Sequence, residues 1–311
     1  MRLKILGILL FLTSALYCQQ TTQYTQYVYN YFAFNPAVAG SQDCFNFKLG
    51  YRTQWAGFDG NPQTGFASFQ TRLKFKKTRA NRTYHGVGAH IENDVIGYLS
   101  STTINLAYAY HFPMGRNVRA SVGLYAGFQQ FKVDASRIIT LDYSDPALQN
   151  GGSAFFVPYV TPGIFLNHDN WFAGLAIRQV VRNKWSKSIG VDARNRFHFS
   201  IVGGKRYKIG KGFNLVPSAM IKYVGYSAPA VDLNITFELN KSVELGLSWR
   251  NQDAIAAMAK FKFARFFSLG YAFDFTTSKL RLVSSNTHEL IIGISACPHD
   301  RNNTYICPVF D

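Results

Sequence analysis

From residue 44 onward the chain alternates apolar and polar side chains with a period of two, in segments of about ten residues. Val231, Leu233, Ile235, Phe237 and Leu239 fall on one face of such a segment, and Asp232, Asn234, Thr236, Glu238 and Asn240 on the other. Successive side chains of a β-strand point to opposite faces, so this pattern specifies a strand with one apolar and one polar side. In the next segment Val243, Leu245, Leu247 and Trp249 oppose Ser242, Glu244, Gly246, Ser248 and Arg250, with only Asn240–Lys241 and its neighbours left to turn. Two adjacent strands therefore form a tight hairpin. Ile104, Leu106, Tyr108, Tyr110 and Phe112 oppose Asn105, Ala107, Ala109 and His111 in the same way, as do Phe45, Phe47, Leu49 and Tyr51 against Asn46, Lys48, Gly50 and Arg52.

The pattern predicts about fourteen strands of the length that a tilted membrane strand needs, near 44–53, 65–76, 83–92, 101–112, 117–128, 155–166, 170–178, 196–206, 213–223, 230–240, 242–250, 254–263, 266–275 and 287–296. Outer-membrane barrels have an even strand number, short periplasmic turns and longer outer loops. The connections 77–82, 113–116, 167–169, 207–212, 241 and 264–265 are short. Those at 54–64, 129–154, 179–195 and 276–286 are longer, while 224–229 and 251–253 are not. Both chain ends are expected to face the periplasm.

A soluble β-sandwich alternates too, but it buries its apolar face. Here the aromatics make up 16% of residues, and Tyr51, Phe75, Tyr110, Phe112, Tyr223, Trp249 and Phe275 gather at strand ends, as in the aromatic girdles of a membrane barrel. The polar face carries both signs: Lys48, Arg52, Glu92, Arg119, Lys222, Asp232, Glu238, Glu244, Arg250, Lys260, Lys262, Asp274 and Glu289. A lumen of this kind is held by charge-assisted hydrogen bonds, and at this strand number it has room for a plug or a partner segment. The fold expected is all-β, a single transmembrane antiparallel up-and-down barrel with an N-terminal segment packed on or in it.

At the N-terminus, Arg2 and Lys4 precede the apolar run Ile5 to Leu12 and then Thr13, Ser14 and Ala15, which is the layout of a signal peptide. Such a run is too short to cross a bilayer as a helix. The parts expected are a signal peptide at 1–18, an aromatic-rich segment at 19–43, a barrel at 44–296 and a periplasmic tail at 297–311. Removing residues 1–18 takes away Arg2 and Lys4 and no acid, so the formal charge of +16 falls by two to +14. Nucleic acid is not the expected partner, because an exported chain rarely meets it and no basic helix or nucleic-acid motif is present. Of the cysteines, Cys18 leaves with the signal, and Tyr17 before it does not suit a lipoprotein. Cys44 stands alone, and Cys297 and Cys307 flank a short polar tail, either paired or as two free thiols.

Catalytic motifs return near misses. His288-Glu289-Leu290-Ile291-Ile292 lacks the second histidine of a zinc-protease helix and reads as a strand. Gly86-Val87-Gly88 lacks the strand-turn-helix setting of a dinucleotide loop, and its glycines suit crowding inside a barrel. Each histidine stands singly in a strand or turn, so no triad is placed. The expectation is a protein that is not an enzyme, with no cofactor and no metal.

The mature N-terminus reads Gln23-Tyr24-Thr25-Gln26-Tyr27-Val28-Tyr29-Asn30 and then Phe34-Asn35-Pro36-Ala37-Val38-Ala39-Gly40-Ser41. After the first strand come Tyr51-Arg52-Thr53-Gln54-Trp55-Ala56-Gly57-Phe58-Asp59-Gly60-Asn61-Pro62-Gln63-Thr64, and the last strand opens Thr287-His288-Glu289-Leu290. In order and spacing these blocks resemble the PorP/SprF family of outer-membrane proteins of the type IX secretion system in Bacteroidota. The resemblance implies a barrel of the secretion and gliding machinery, located in the outer membrane. Its implied partners are a large exported surface protein held through its C-terminal domain, other type IX secretion components and outer-membrane lipid. A core translocation role and a general pore for small-molecule uptake are the alternatives. Candidate partner-binding residues are Tyr27, Tyr29, Asn35, Pro36, Arg52, Trp55 and Phe58. Each has a plainer reading: Asn35-Pro36 is a turn former, Trp55 and Phe58 suit the membrane interface, and Arg52 suits a lumen ion pair. The aromatic stretch 19–43 is expected to fold against or inside the barrel, since it would not stay free in water.

Overall fold

The computed structural model describes residues 22–57, 59–73, 83–115, 117–134, 154–181, 196–225, 227–240, 242–251, 253–264, 266–282 and 284–297. Their strands are β1 (Phe45–Thr53), β2 (Gln63–Leu73), β3 (Tyr84–Ile96), β4 (Leu99–Pro113), β5 (Val118–Val133), β6 (Phe155–His168), β7 (Trp171–Arg178), β8 (His198–Lys205), β9 (Tyr207–Gly210), β10 (Phe213–Val224), β11 (Ala230–Leu239), β12 (Val243–Arg250), β13 (Ala254–Phe263), β14 (Phe267–Thr276) and β15 (Thr287–Ala296). β8 and β9 are one barrel strand. Gly204 stands opposite Ser218 and Tyr207 opposite Leu215, so the register on β10 runs unbroken across Arg206. Each strand pairs antiparallel with its neighbours, and β1 against β15 completes a closed barrel of fourteen strands.

The alternation seen in the sequence decides which side meets lipid. Leu233, Ile235, Phe237, Leu245, Leu247 and Trp249 point outward and are exposed, whereas Asp232, Asn234, Thr236, Glu244, Ser248 and Arg250 are buried in the lumen. Exposed apolar side chains on every strand but β2 require an apolar solvent outside, which is lipid. Tyr51, Tyr223, Trp249 and Phe275 of the expected girdles face outward and exposed; Phe75 lies outside the described residues.

Boundaries move at three places, and at one of them β5 runs to Val133, past the expected end at 128. β3 and β4 meet in a tight turn at Gly97 and Tyr98, where the expected strands left 93–100 as connection; the left-handed φ of +58° at Gly97 permits it. β9 carries the eighth strand to Gly210, past the expected end at 206.

A disulfide joins Cys44 to Cys297, with Cα atoms 4.1 Å apart. This corrects the expectation of a lone Cys44 and a possible Cys297–Cys307 pair. The reason is barrel closure. Phe45 faces Ala296 in the β1–β15 register, so the next rung outward from the ladder is Cys44 facing Cys297, two residues far apart in sequence and adjacent across the seam. Cys307 lies outside the described residues.

Candidate functional site: the filled lumen

Residues 22–40 run through the barrel. They form three short 3-10 turns, Thr25–Tyr29, Tyr31–Ala33 and Pro36–Val38, and nearly every residue from Tyr24 to Gly40 is buried. The segment enters beside the ends of strands that lead to the longer loops, which is the outer side, and leaves at the opposite end, where β1 begins. Thr22 and Tyr24 donate to the Glu92 carboxylate at 2.8 and 2.5 Å, four residues from the outer end of β3. At the other end, Arg72 donates to the carbonyls of Gly40 and Ser41, and a ring nitrogen of His111 sits 2.7 Å from the Ala39 oxygen. Both ends of the barrel lie on the short-turn side, but the expectation that both chain ends face the periplasm does not hold for the first described residue, since Thr22, the start of the plug, stands near the outer rim.

The outer end is gripped by charge. Arg52, 2% exposed, pairs with Asp274 at 3.0 Å and Glu289 at 2.9 Å and donates to the Thr25 hydroxyl at 2.6 Å. Thr25 passes its own hydroxyl hydrogen to Asp274 at 2.7 Å, and the amides of Thr25 and Gln26 donate to the two oxygens of Glu289. Arg250 lies against Asp253, Asp274 and Asp232, and Lys222 pairs with Asp232 at 2.7 Å. Arg52, Arg250 and Lys222 thus face Asp232, Asp274 and Glu289 inside the wall. Burying ions is costly unless each is paired and hydrogen-bonded, and the backbone of Thr25–Gln26 supplies two of the donors that Glu289 needs.

Deeper in, the wall is shaped to the plug. Asn35 caps the third turn by accepting from the Ala37 amide at 3.0 Å, and its amide nitrogen donates to the Ile164 and Leu175 carbonyls of β6 and β7. That reach requires Gly163 and Gly174, since a Cβ on Gly163 would stand 2.1 Å from the Asn35 side-chain oxygen. Likewise a Cβ on Gly86 would stand 1.9 Å from the Ala39 carbonyl oxygen, and one on Gly123 within 2.6 Å of Pro36 and Ala37. Aromatic contacts fill the remainder: Tyr24 on Phe66, Tyr31 on Phe172 and Phe32 on Tyr125. Arg178 donates to the Ala33 carbonyl at 2.9 Å and lies over the Phe34 ring.

Five of the seven candidate partner-binding residues meet the chain's own barrel or plug. The Tyr27 hydroxyl accepts from Asn234, the Tyr29 carbonyl accepts from Lys48 while Lys260 stands over its ring, Asn35 and Pro36 pack on the glycine wall, and Arg52 holds Thr25. Trp55 lies apart from them in the β1–β2 loop, half-buried, its amide donating to Thr287 at 3.0 Å. Phe58 lies outside the described residues. The sequence reading placed Asp232, Arg250, Asp274 and Glu289 on the lumen face without joining them to Thr25, because they come from four separate strands. It also passed over Gly123, Gly163 and Gly174, whose inward parity in otherwise apolar or aromatic strands was the available signal.

The barrel is similar to several solved outer-membrane structures. The Ralstonia pickettii toluene transporter TbuX aligns at a TM-score of 0.54 with 9% identity, covering 86% of this chain and 92% of that one. The CymD monoaromatic hydrocarbon channel aligns at 0.52 with 11% identity over 90% and 94%. The Pseudomonas putida toluene transporter TodX aligns at 0.51 with 8% identity over 89% and 95%. At such identities the likeness is one of fold. No curated protein matches the sequence. The sequence profile of the family described as type IX secretion system membrane protein PorP/SprF matches residues 17–294, and the chain, an outer-membrane β-barrel, belongs to that family.

Proposed function

We propose that this protein binds one large exported protein and retains it at the cell surface through that protein's C-terminal domain, and that it does so without catalysis. The filled lumen carries this reading. A barrel occupied by its own residues 22–40, pinned at the outer end by Arg52, Asp274 and Glu289, offers a partner its loops and rims rather than a passage. The outer loops suit such a task because they brace one another. The Ala56 amide donates to Asn286 at 2.8 Å, the Ser285 amide to Ala56 at 2.5 Å and the Gly97 amide to Gly60 at 3.0 Å. Preordered loops lose less conformational entropy on binding.

A core role in translocation is the second reading, and family membership favours it equally. Deleting the gene and comparing surface and medium proteomes with the parent strain separates the readings. A dedicated anchor releases one large exported protein while other type IX substrates stay in place. A core component stops them all. An unchanged set of attached and released proteins, with slower uptake of small solutes, contradicts both.

A further inference from the structure

The β9–β10 hairpin on the periplasmic rim has features that the retention of an exported protein does not use. The Arg206 amide donates to the Asn170 carbonyl at 2.8 Å, the last rung toward β7, which begins at Trp171 opposite Lys205. Beyond it, among the described residues, Tyr207–Gly210 pairs only with β10. Strand alternation places the amide of Lys208 on the same open edge as that of Arg206, and beyond it a bulge at Ile209 shifts Gly210 to face Phe213. Unpaired backbone groups are not tolerated facing hydrocarbon, so this stretch sits at headgroup depth, just inside the periplasmic surface of the membrane.

The side chains agree with that level. Tyr207, Ile209 and Phe213 are exposed at 47%, 63% and 47% and share the outward parity of Ile201. Lys205 shares that parity and Lys211 stands in the turn beyond, both exposed, while Lys208, opposite Asn214, turns to the other face; the Lys205 ammonium stands 5.0 Å from the centre of the Tyr207 ring. The nearby Arg206 is already paired with Glu238 at 2.5 Å, and the acid on the neighbouring turn, Asp169, is engaged by Asn117. Lysines beside outward aromatics at an interface place their stems along apolar surface and their charges among headgroups.

We propose that this hairpin is a binding site for an anionic phospholipid of the periplasmic leaflet, with Lys205, Lys211 and the open Lys208 amide taking its phosphate and Tyr207, Ile209 and Phe213 lying along its acyl chains. Short edges and edge lysines also discourage strand addition by a peptide, which favours a lipid over an extended acidic segment as the occupant. The inference rests on the hairpin alone and is independent of the surface-retention reading.

Native mass spectrometry of the full-length protein in detergent, titrated with phosphatidylglycerol or phosphatidylethanolamine, tests it. The protein is expected to retain phosphatidylglycerol preferentially. The variant Lys205→Gln/Lys211→Gln is expected to lose that preference by about tenfold or more, since each lysine near an anionic surface contributes several-fold. Lys279→Gln/Arg281→Gln, at exposed residues on the outer side, is expected to leave it unchanged, and heat-modifiable migration in gels confirms that each barrel is folded. Equal retention of both lipids by the native protein overturns the proposal, and so does a preference that survives in the double lysine variant. Binding of a hexaglutamate peptide that depends on the two lysines, without phosphatidylglycerol preference, overturns it in favour of an acidic protein.

Discussion

Arg52 is where one side chain decides most. Its guanidinium separates two buried carboxylates and reaches the plug through Thr25. Arg52→Ala leaves Asp274 and Glu289 facing each other with one cation fewer, and breaking a buried pair costs about 3–5 kcal/mol. The expected outcome is a barrel that still assembles but melts lower and is cut by protease within residues 22–40; Arg52→Lys, which keeps the charge and loses the fork, should fall between. Unchanged protease resistance in the alanine variant would remove the clamp from the account. Gly86 and Gly123 test the same seat by shape. A valine at Gly123 places atoms where Pro36 and Ala37 stand, so the plug must shift. Protease cleavage of the plug should rise in this variant while heat-modifiable migration in gels is kept.

Strand by strand, the two faces carry different penalties. Leu233→Arg or Ile235→Arg puts a cation into lipid, at about 2–4 kcal/mol near the midplane, and should lower the assembled fraction in folding assays. Asn234→Arg spares the lipid face, but the Asn234 amide donates to the Tyr27 hydroxyl, so its expected effect is displacement of the plug with assembly retained. Equal assembly of all three with the plug seated would contradict the facing. The Cys44–Cys297 bond closes the seam between the first and last strands. Cys44→Ser should cost about 2–4 kcal/mol, the usual range for a native disulfide, read as a lower melting temperature that reductant reproduces in the native protein.

These elements also mark what was legible in the residues. A period of two is a local property, so β11, β13 and β15 could be placed almost residue for residue, and the inward parity of Arg52 and Asn234 came with it. The disulfide was not legible, because nothing near Cys44 points to Cys297 until fourteen strands close. The plug was legible as aromatics needing cover. Its seat was not, since Asn35 meets backbone carbonyls of β6 and β7, which have no sequence signature, through space left by glycines on inward positions.

As a whole, the molecule is a membrane barrel whose lumen is its core. The polar lining that the sequence offered to a channel is paired instead within the wall and against residues 22–40, from Thr25 at the outer rim to Ala39 near the periplasmic end. Such a body holds its shape, and under the proposed function it meets its partner on its rims. The most direct measurement is conductance across a planar bilayer, comparing the native protein with a variant lacking residues 22–40. The native barrel should be electrically silent and the deleted one should open in discrete ohmic steps; steps of the same size from both would show that the lumen is a passage and contradict the account.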